Sequence, residues 1–169
     1  MGAPNNLAKI MQADRLTFPG MLPREILIFK NWLAMHETEY DKFDYNVRIG
    51  AGVDPGAVWP DYVRQQAIAN SQLRIDAIAW KAEQPTIIEV KDRAGASAIG
   101  QIVTYEAVWL KDNAGSPAPK LLLVTNRLQH NTLPVLLKAG ISFEQVPTDF
   151  SSLARPAPPQ GWQSRGRNG

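Results

Sequence analysis

Two neighbouring segments constrain this chain more than any others. Residues 73–80 read LRIDAIAW and residues 86–91 read TIIEVK, with Glu83-Gln84-Pro85 as a turn between them. Both runs are rich in apolar and β-branched residues, and so short a connection predicts two antiparallel strands. Each strand carries one acid in its interior, Asp76 in the first and Glu89 in the second. A charge embedded in an apolar strand is costly unless it is paired or bound to a metal. Pairing about the 83–85 turn brings Asp76 next to Glu89. Residues i and i+2 of a strand share a face, so Lys91 projects alongside Glu89. One end of the sheet thus gathers two carboxylates and an ammonium.

The surrounding pattern supplies the rest of a fold. Pro23 opens a helical period of apolar residues, predicting a helix over 23–39. Residues 45–49 alternate and stop at Gly50, which reads as a strand, and 60–69 form a short helix. A second long helix is expected over 96–110, with Ile99, Ile102, Val103, Ala107 and Val108 on its apolar side. KLLLVTN over 120–126 is the near-continuous apolar run of a strand covered on both faces. A helix over 131–139 ends at Gly140, a good C-terminal cap, and 141–146 forms the last strand. The order α, β, β, β, α, β, α, β gives an α/β (α+β) mixed sheet flanked by helices.

Two carboxylates and a backbone carbonyl suit Mg²⁺, which prefers octahedral oxygen and keeps several waters. A lysine beside such an ion orients or deprotonates an attacking water and stabilises charge building on a phosphorus centre. Glu-x-Lys alone is a weak signal, and an ion pair on a solvated strand edge produces the same letters. The apolar context of both acids favours the site.

In these residues the chain resembles the PD-(D/E)XK nuclease superfamily. The matching pattern is Arg74-Ile75-Asp76, then Ile87-Ile88-Glu89-Val90-Lys91, then a helix bearing Gln101 and Tyr105. Within that superfamily it resembles the small Holliday-junction-resolvase-like and VRR-NUC-like members. Pro23-Arg24-Glu25 at the head of the first helix and the strand ending Val47-Arg48-Ile49-Gly50 carry that likeness. The resemblance spans about residues 23–146 and implies a restriction-endonuclease-like αβββαβ core. It implies a DNA endonuclease using Mg²⁺ or Mn²⁺, with branched DNA among its possible substrates. Asp76, Glu89 and the Val90 carbonyl are the implied metal ligands, Lys91 serves the nucleophilic water, and Gln101 is the helix glutamine. Tyr105 falls one turn beyond Gln101 on the same helix face. Glu25 matches an acid that some members place near the metal. It reads equally as a first-turn acid favourable to the helix dipole, with Glu37 and Glu39 as rivals. Ile75 departs from the proline many members have before the aspartate, and the resemblance gives no role to residues 51–72.

Other polar residues are weaker candidates. Arg48, Arg64, Arg74 and Lys120 are candidate phosphate contacts, with Arg48, Arg64 and Tyr105 the expected DNA contacts; taken singly each arginine or lysine reads as a solvated charge, and Arg93 lies just past the motif. His36 and His130 lack a partner histidine at metal-ligand spacing. Trp59 and Trp80 either stack bases or pack in a core, and packing is the more usual role.

Charge and composition bound the alternatives. The 169 residues carry 18 basic and 16 acidic side chains and no cysteine, which excludes a disulfide scaffold and any Cys-ligated metal. Three arginines and no acid lie in residues 155–169, leaving 15 basic and 16 acidic residues elsewhere, a net charge of −1. A nucleic-acid binder of this kind needs local patches of positive charge. No apolar run approaches the roughly 20 residues of a membrane span, and residues 1–14 lack the pattern of a signal peptide. The expected setting is the cytoplasm, or a particle assembled there, and not a secreted protein. The expected division is an arm over 1–22, one domain over 23–150, and a Pro/Gly/Arg-rich tail over 151–169. Arm and tail are expected to gain order against a second copy or a larger assembly, because little in them offsets the entropy of ordering. That feature favours a second class, an adaptor subunit of a multi-protein particle such as a phage virion on a nuclease-like fold. A third class is a module that binds DNA without cutting it.

Overall fold

A computed structural model describes residues 18–36 and 38–153. A short turn expected around Leu7–Met11, the 154–169 tail and Glu37 lie outside the described residues. The first helix, α1 (Pro23–His36), has Pro23 in its opening turn, and Glu25 Oε2 accepts the Leu22 amide at 2.7 Å. That bond satisfies one of the donors a helix start leaves open. Strand β1 (Lys42–Ile49) follows, then helix α2 (Asp61–Ser71), then β2 (Leu73–Lys81) and β3 (Gln84–Ala94). Helix α3 (Ala96–Asp112) crosses to β4 (Lys120–Leu128). A single 3₁₀ turn (His130–Thr132) and helix α4 (Leu133–Lys138) lead to β5 (Ser142–Gln145).

The five strands lie in the order β1-β2-β3-β4-β5. β1, β2 and β3 are antiparallel neighbours, while β3, β4 and β5 run parallel. The expected mixed sheet is therefore present, with four α-helices around it among the described residues. On one face α1 packs Ile28, Phe29, Trp32 and Leu33 against Ala77, Ala79, Ile88 and Val90. On the other, α3 and α4 pack Ile99, Ile102 and Leu136 against Ile78, Ile87, Leu121 and Leu123. β4 is buried on both faces, as its apolar run predicts. Gly140, at φ +66, closes α4: its amide donates to Leu137 O at 3.2 Å and that of Ile141 to Leu136 O at 3.0 Å. These are the two bonds of a Schellman cap, which needs the left-handed conformation glycine adopts freely.

Several expectations need correction. The compact body starts before Pro23, because Phe18 and Met21 are buried against α1. The β2–β3 turn is Ala82-Glu83, since Lys81 pairs with Gln84 and Trp80 with Pro85. Pro85 is tolerated because the ladder with β4 starts only at Thr86. The buried stripe of α3 is Ala98, Ile99, Ile102, Tyr105 and Trp109, while Val103 and Ala107 are exposed. Helix α4 starts later than residue 131, beside Pro134, whose ring favours a first helical turn. α1 stops at His36.

Residues 51–72 form an excursion with its own polar framework. Helix α2 buries none of its side chains. Ser71 Oγ accepts the Val53 amide at 2.7 Å, and Gln72 Nε2 donates to Gly50 O at 2.7 Å. Gly52, at φ +68, lies against the helix, where a Cβ would come within 2.3 Å of Ile68 O. Only glycine fits there.

Candidate active site

The antiparallel ladder between β2 and β3 runs from Lys81↔Gln84 to Ala77↔Ile88 and then stops. Continued by one pair, that register sets Asp76 opposite Glu89. At this position the strands part, and Asp76 fills the fork: its Oδ2 accepts the Val90 amide at 2.9 Å. The β1 side is disturbed at the same level. Asn46, opposite Asp76, has φ +51 and drops out of an otherwise continuous β1–β2 ladder. Ile75 belongs to the core beneath α3 while Ala77 belongs to the core beneath α1. The i, i+2 face rule is thus broken around Asp76.

A cavity of about 370 Å³ opens at this fork. Asp76, Glu89 and Lys91 form one wall, with Gln101 and Tyr105 of α3 over them. Arg74, Gln72 and Asn46 line the other side. Five expected site residues are therefore brought together, and Glu25 joins them through Lys91.

The electrostatics are those of crowded, buried acids. Glu89 is 1% exposed, and neither carboxylate oxygen receives a hydrogen bond. Lys91 Nζ lies 2.7 Å from Glu89 Oε1, close enough for an ion pair but without hydrogen-bond alignment. Burial raises the Glu89 carboxyl, to about 8, and the charge of Asp76 raises it further against the pull of Lys91. Burial also raises Asp76, to about 6, although Lys91 and the Val90 amide favour its charged form. Burial alone would depress the Lys91 ammonium; the charge of Glu89 2.7 Å away, with those of Asp76 and Glu25, outweighs it and holds Lys91 above its ordinary value. In the metal-free protein Lys91 is thereby held as a cation, and of the two expected roles, orienting the water or deprotonating it, that charge favours the first. Burial and the two acids raise the Tyr105 phenol to about 12, so it stays neutral.

Glu25 is a first-turn acid of α1 that also reaches Lys91. It is 6% exposed, caps α1 with one oxygen and lies 3.5 Å from Lys91 Nζ with the other. Arg24 fixes that end of α1, donating to Asp92 at 2.9 Å while lying over the Phe150 ring. Gln101 Nε2 donates to the Tyr105 hydroxyl at 3.5 Å, one helical turn away.

The donor set fits a small divalent cation. Two neighbouring carboxylates, Asp76 and the buried Glu89, share the one ammonium of Lys91, which leaves negative charge for a cation to offset. A residue's N–H and C=O point to the same side of a strand. The Val90 carbonyl therefore faces the fork from which its amide meets Asp76. Among the described residues no three acids, histidines or cysteines form a metal cage. Two carboxylates, a carbonyl and waters match the way Mg²⁺ is usually held.

Other candidates lie elsewhere. Arg64 pairs with Asp54 and Asp61 on the exposed excursion and is not among the residues that line the cavity. His36 stacks on Trp32 and lies 2.8 Å from Glu144 and 3.0 Å from Glu39, in a structural network. His130, Arg93 and Lys120 are exposed. Trp80 donates to Asp44 at 2.8 Å and packs on Trp109, whereas Trp59 is exposed. Sequence reasoning missed Asn46 and Gln72 as cavity residues and set Arg74 aside. The i, i+2 relation of Arg74 to Asp76 was the available signal; nothing in the sequence marks the left-handed turn at Asn46.

Comparison with protein-family models, with curated proteins and with solved structures returned no match. Among the described residues no helix is long and apolar enough to cross a membrane.

Proposed function

We propose that this chain is a metal-dependent DNA endonuclease that hydrolyses phosphodiesters. The observation that carries this reading is Glu89: a buried carboxylate, short of hydrogen-bond donors, set beside Asp76 where two strands part. The order of α1, the three antiparallel strands, the crossover helix and β4 supports it too, being the αβββαβ order of the PD-(D/E)XK nucleases that the motifs resemble.

In this reading Asp76, Glu89 and the Val90 carbonyl hold Mg²⁺ or Mn²⁺. Such an ion, when bound, supplies Lewis-acid polarisation of the phosphate and an acidified water. Lys91, kept cationic, places fixed positive charge where the phosphate oxygens gain charge in the transition state. Glu25 steadies Lys91 from the far side. Gln101 orients the site from α3, and Tyr105 offers a neutral hydroxyl beside the acids. Arg48 contacts the DNA backbone.

The test is cleavage of linear and four-way-junction DNA with Mg²⁺ or Mn²⁺, run beside Lys91→Ala. Cutting that requires the metal and is lost in the variant is expected. Cutting that survives Lys91→Ala would sink the assignment.

One observation favours a second reading, a particle subunit that uses this fold as an adaptor. The excursion exposes Val58, Trp59 and Tyr62 on a segment that buries none of its helix, and exposed apolar surface marks interaction sites. No cutting of any DNA by folded protein, with stable capture of a second copy or another subunit through these residues, is the outcome that would support it.

A further inference from the structure

The cavity has a second wall that the acids do not explain. Arg74 and Arg48 are direct cross-strand partners in the β1–β2 ladder. Directly opposite residues project to the same face, a few ångströms apart at Cβ. Two like charges in that relation repel, and strands usually avoid it. Neither arginine forms a hydrogen bond or ion pair within the described residues, whereas the other cation at this site, Lys91, is paired with Glu89 and Glu25. Arg74 is half-buried and lines the cavity that holds Asp76 and Glu89.

Asn46 adds to this wall. It precedes Arg48 by two residues, lines the same cavity and has no hydrogen-bond partner for its side chain among the described residues. Its backbone is left-handed, at φ +51, a region that asparagine enters more readily than other non-glycine residues, and such positions cluster at functional sites. Gly20 accommodates it: a Cβ there would come within 3.0 Å of Asn46 Oδ1, and Gly20 itself has φ +103.

We infer that Arg48 and Arg74, with Asn46, form a phosphate clamp that holds a backbone phosphate of the DNA strand entering the Asp76–Glu89 cavity. The inference rests on the hydrolase reading for the identity of the strand, but the clamp is a separate set of groups. A phosphate between the two guanidiniums turns their repulsion into two charge-assisted pairs, and arginine suits this because its fork matches phosphate oxygens. The free protein carries the repulsion, and the bound strand relieves it.

The test uses the full chain and a fluorescein-labelled 20-base-pair duplex, with binding read by anisotropy in EDTA across a salt series. Arg74→Ala is expected to weaken binding about tenfold and to lower the salt slope by about one. Arg48→Ala is expected to act in the same direction, and the double variant to lose less than the sum, since both grip one phosphate. The melting temperature of free Arg74→Ala should stay level or rise, which excludes misfolding as the cause. Cleavage by Arg74→Ala, if the wild type cuts, should show KM raised by a larger factor than kcat falls.

Unchanged affinity and slope in both variants would overturn the clamp, and wild-type cutting would then leave the hydrolase reading standing. Arg74-dependent binding by a wild type that never cuts would support the clamp and overturn the hydrolase. Wild-type protein that neither binds nor cuts would overturn both.

Discussion

The backbone amide of Val90 donates to Asp76 Oδ2 at 2.9 Å in the space where the next rung of the β2–β3 ladder would have been. A side chain thus replaces a main-chain carbonyl as the acceptor. The exchange frees the strands to part and keeps the Val90 amide satisfied. It also fixes a carboxylate beside the second buried acid, Glu89.

Asp76→Asn should stabilise the metal-free protein. The amide oxygen still accepts the Val90 hydrogen, while the buried charge and its repulsion of Glu89 are removed. A carboxyl raised from 3.8 to about 6 implies a gain of about 1–3 kcal/mol at pH 8. For a chain of this length that is a Tm rise of about 3–10 °C. At pH 4.5, where the folded protein holds Asp76 protonated but the unfolded chain still ionises it, the gain should shrink to about a third, and it should vanish below about pH 3.5. An unchanged or lower Tm at pH 8 would show that the two acids are not in conflict.

The pH profile of the free protein follows from the same pair. Both acids titrate higher in the fold, at about 6 and about 8, than in the unfolded chain near 4. The folded state binds more protons in that interval, so this stabilisation is complete below about pH 4 and is lost as pH rises through 6 and 8. Thermal melts in EDTA should show Tm falling from pH 5 to pH 9. Millimolar Mg²⁺ or Mn²⁺ should raise Tm more at pH 8.5 than at pH 5.5, because a cation competes with protons for these oxygens. A cation effect independent of pH would speak against binding at these two carboxylates.

Glu25 caps a helix with one oxygen and faces Lys91 with the other, and two variants separate those functions. Glu25→Gln keeps an acceptor for the Leu22 amide and should change stability by less than about 0.5 kcal/mol. Glu25→Ala should cost about 1 kcal/mol, the usual worth of a helix cap. DNA cleavage should fall in both, since both lose the charge that steadies Lys91. Full activity in Glu25→Gln would reduce this residue to a cap.

Arg64→Ala should leave DNA affinity and its salt dependence unchanged. Its guanidinium is occupied by Asp54 and Asp61 on the excursion. Such exposed pairs contribute little to stability. A clear drop in the salt slope would return Arg64 to the DNA-contacting surface.

Ala82→Gly should raise stability by about 0.5–1 kcal/mol. Ala82 sits exposed in the β2–β3 turn at φ +51, a conformation glycine adopts without the Cβ penalty. A denaturant midpoint that moves down would show that the turn relaxes in some other way.

Much of this molecule is legible in its sequence, for identifiable reasons. Asp76 and Glu89 stand out because charge in an apolar strand needs a cause. β4 stands out because burial on both faces removes alternation, and the end of α4 because Gly140 is punctuation. The α3 stripe was misplaced because Tyr105 and Trp109 look amphipathic, and only the packing shows that they, not Val103 and Ala107, face the sheet. Phe18 was hidden by the breakers that follow it. Arg48 and Arg74 become neighbours only once the register of β1 against β2 is fixed, and residues 51–72, which separate those strands in sequence, conceal it.

The strand order carries a consequence for how the chain reaches this state. Each strand lies beside the one that precedes it in sequence, so the sheet grows outward without threading a later strand between earlier ones. The tight β2–β3 hairpin closes the shortest loop and should be an early event, on the microsecond scale of isolated hairpins. That event already places Asp76 beside Glu89, before α3 or β4 covers them. Closing the 23-residue gap to β1 costs more entropy, and only that later step brings in Arg48. A folding intermediate consisting of the hairpin alone would thus carry the acids and Arg74 without Arg48. Mutations in β1 should then speed unfolding more than they slow folding.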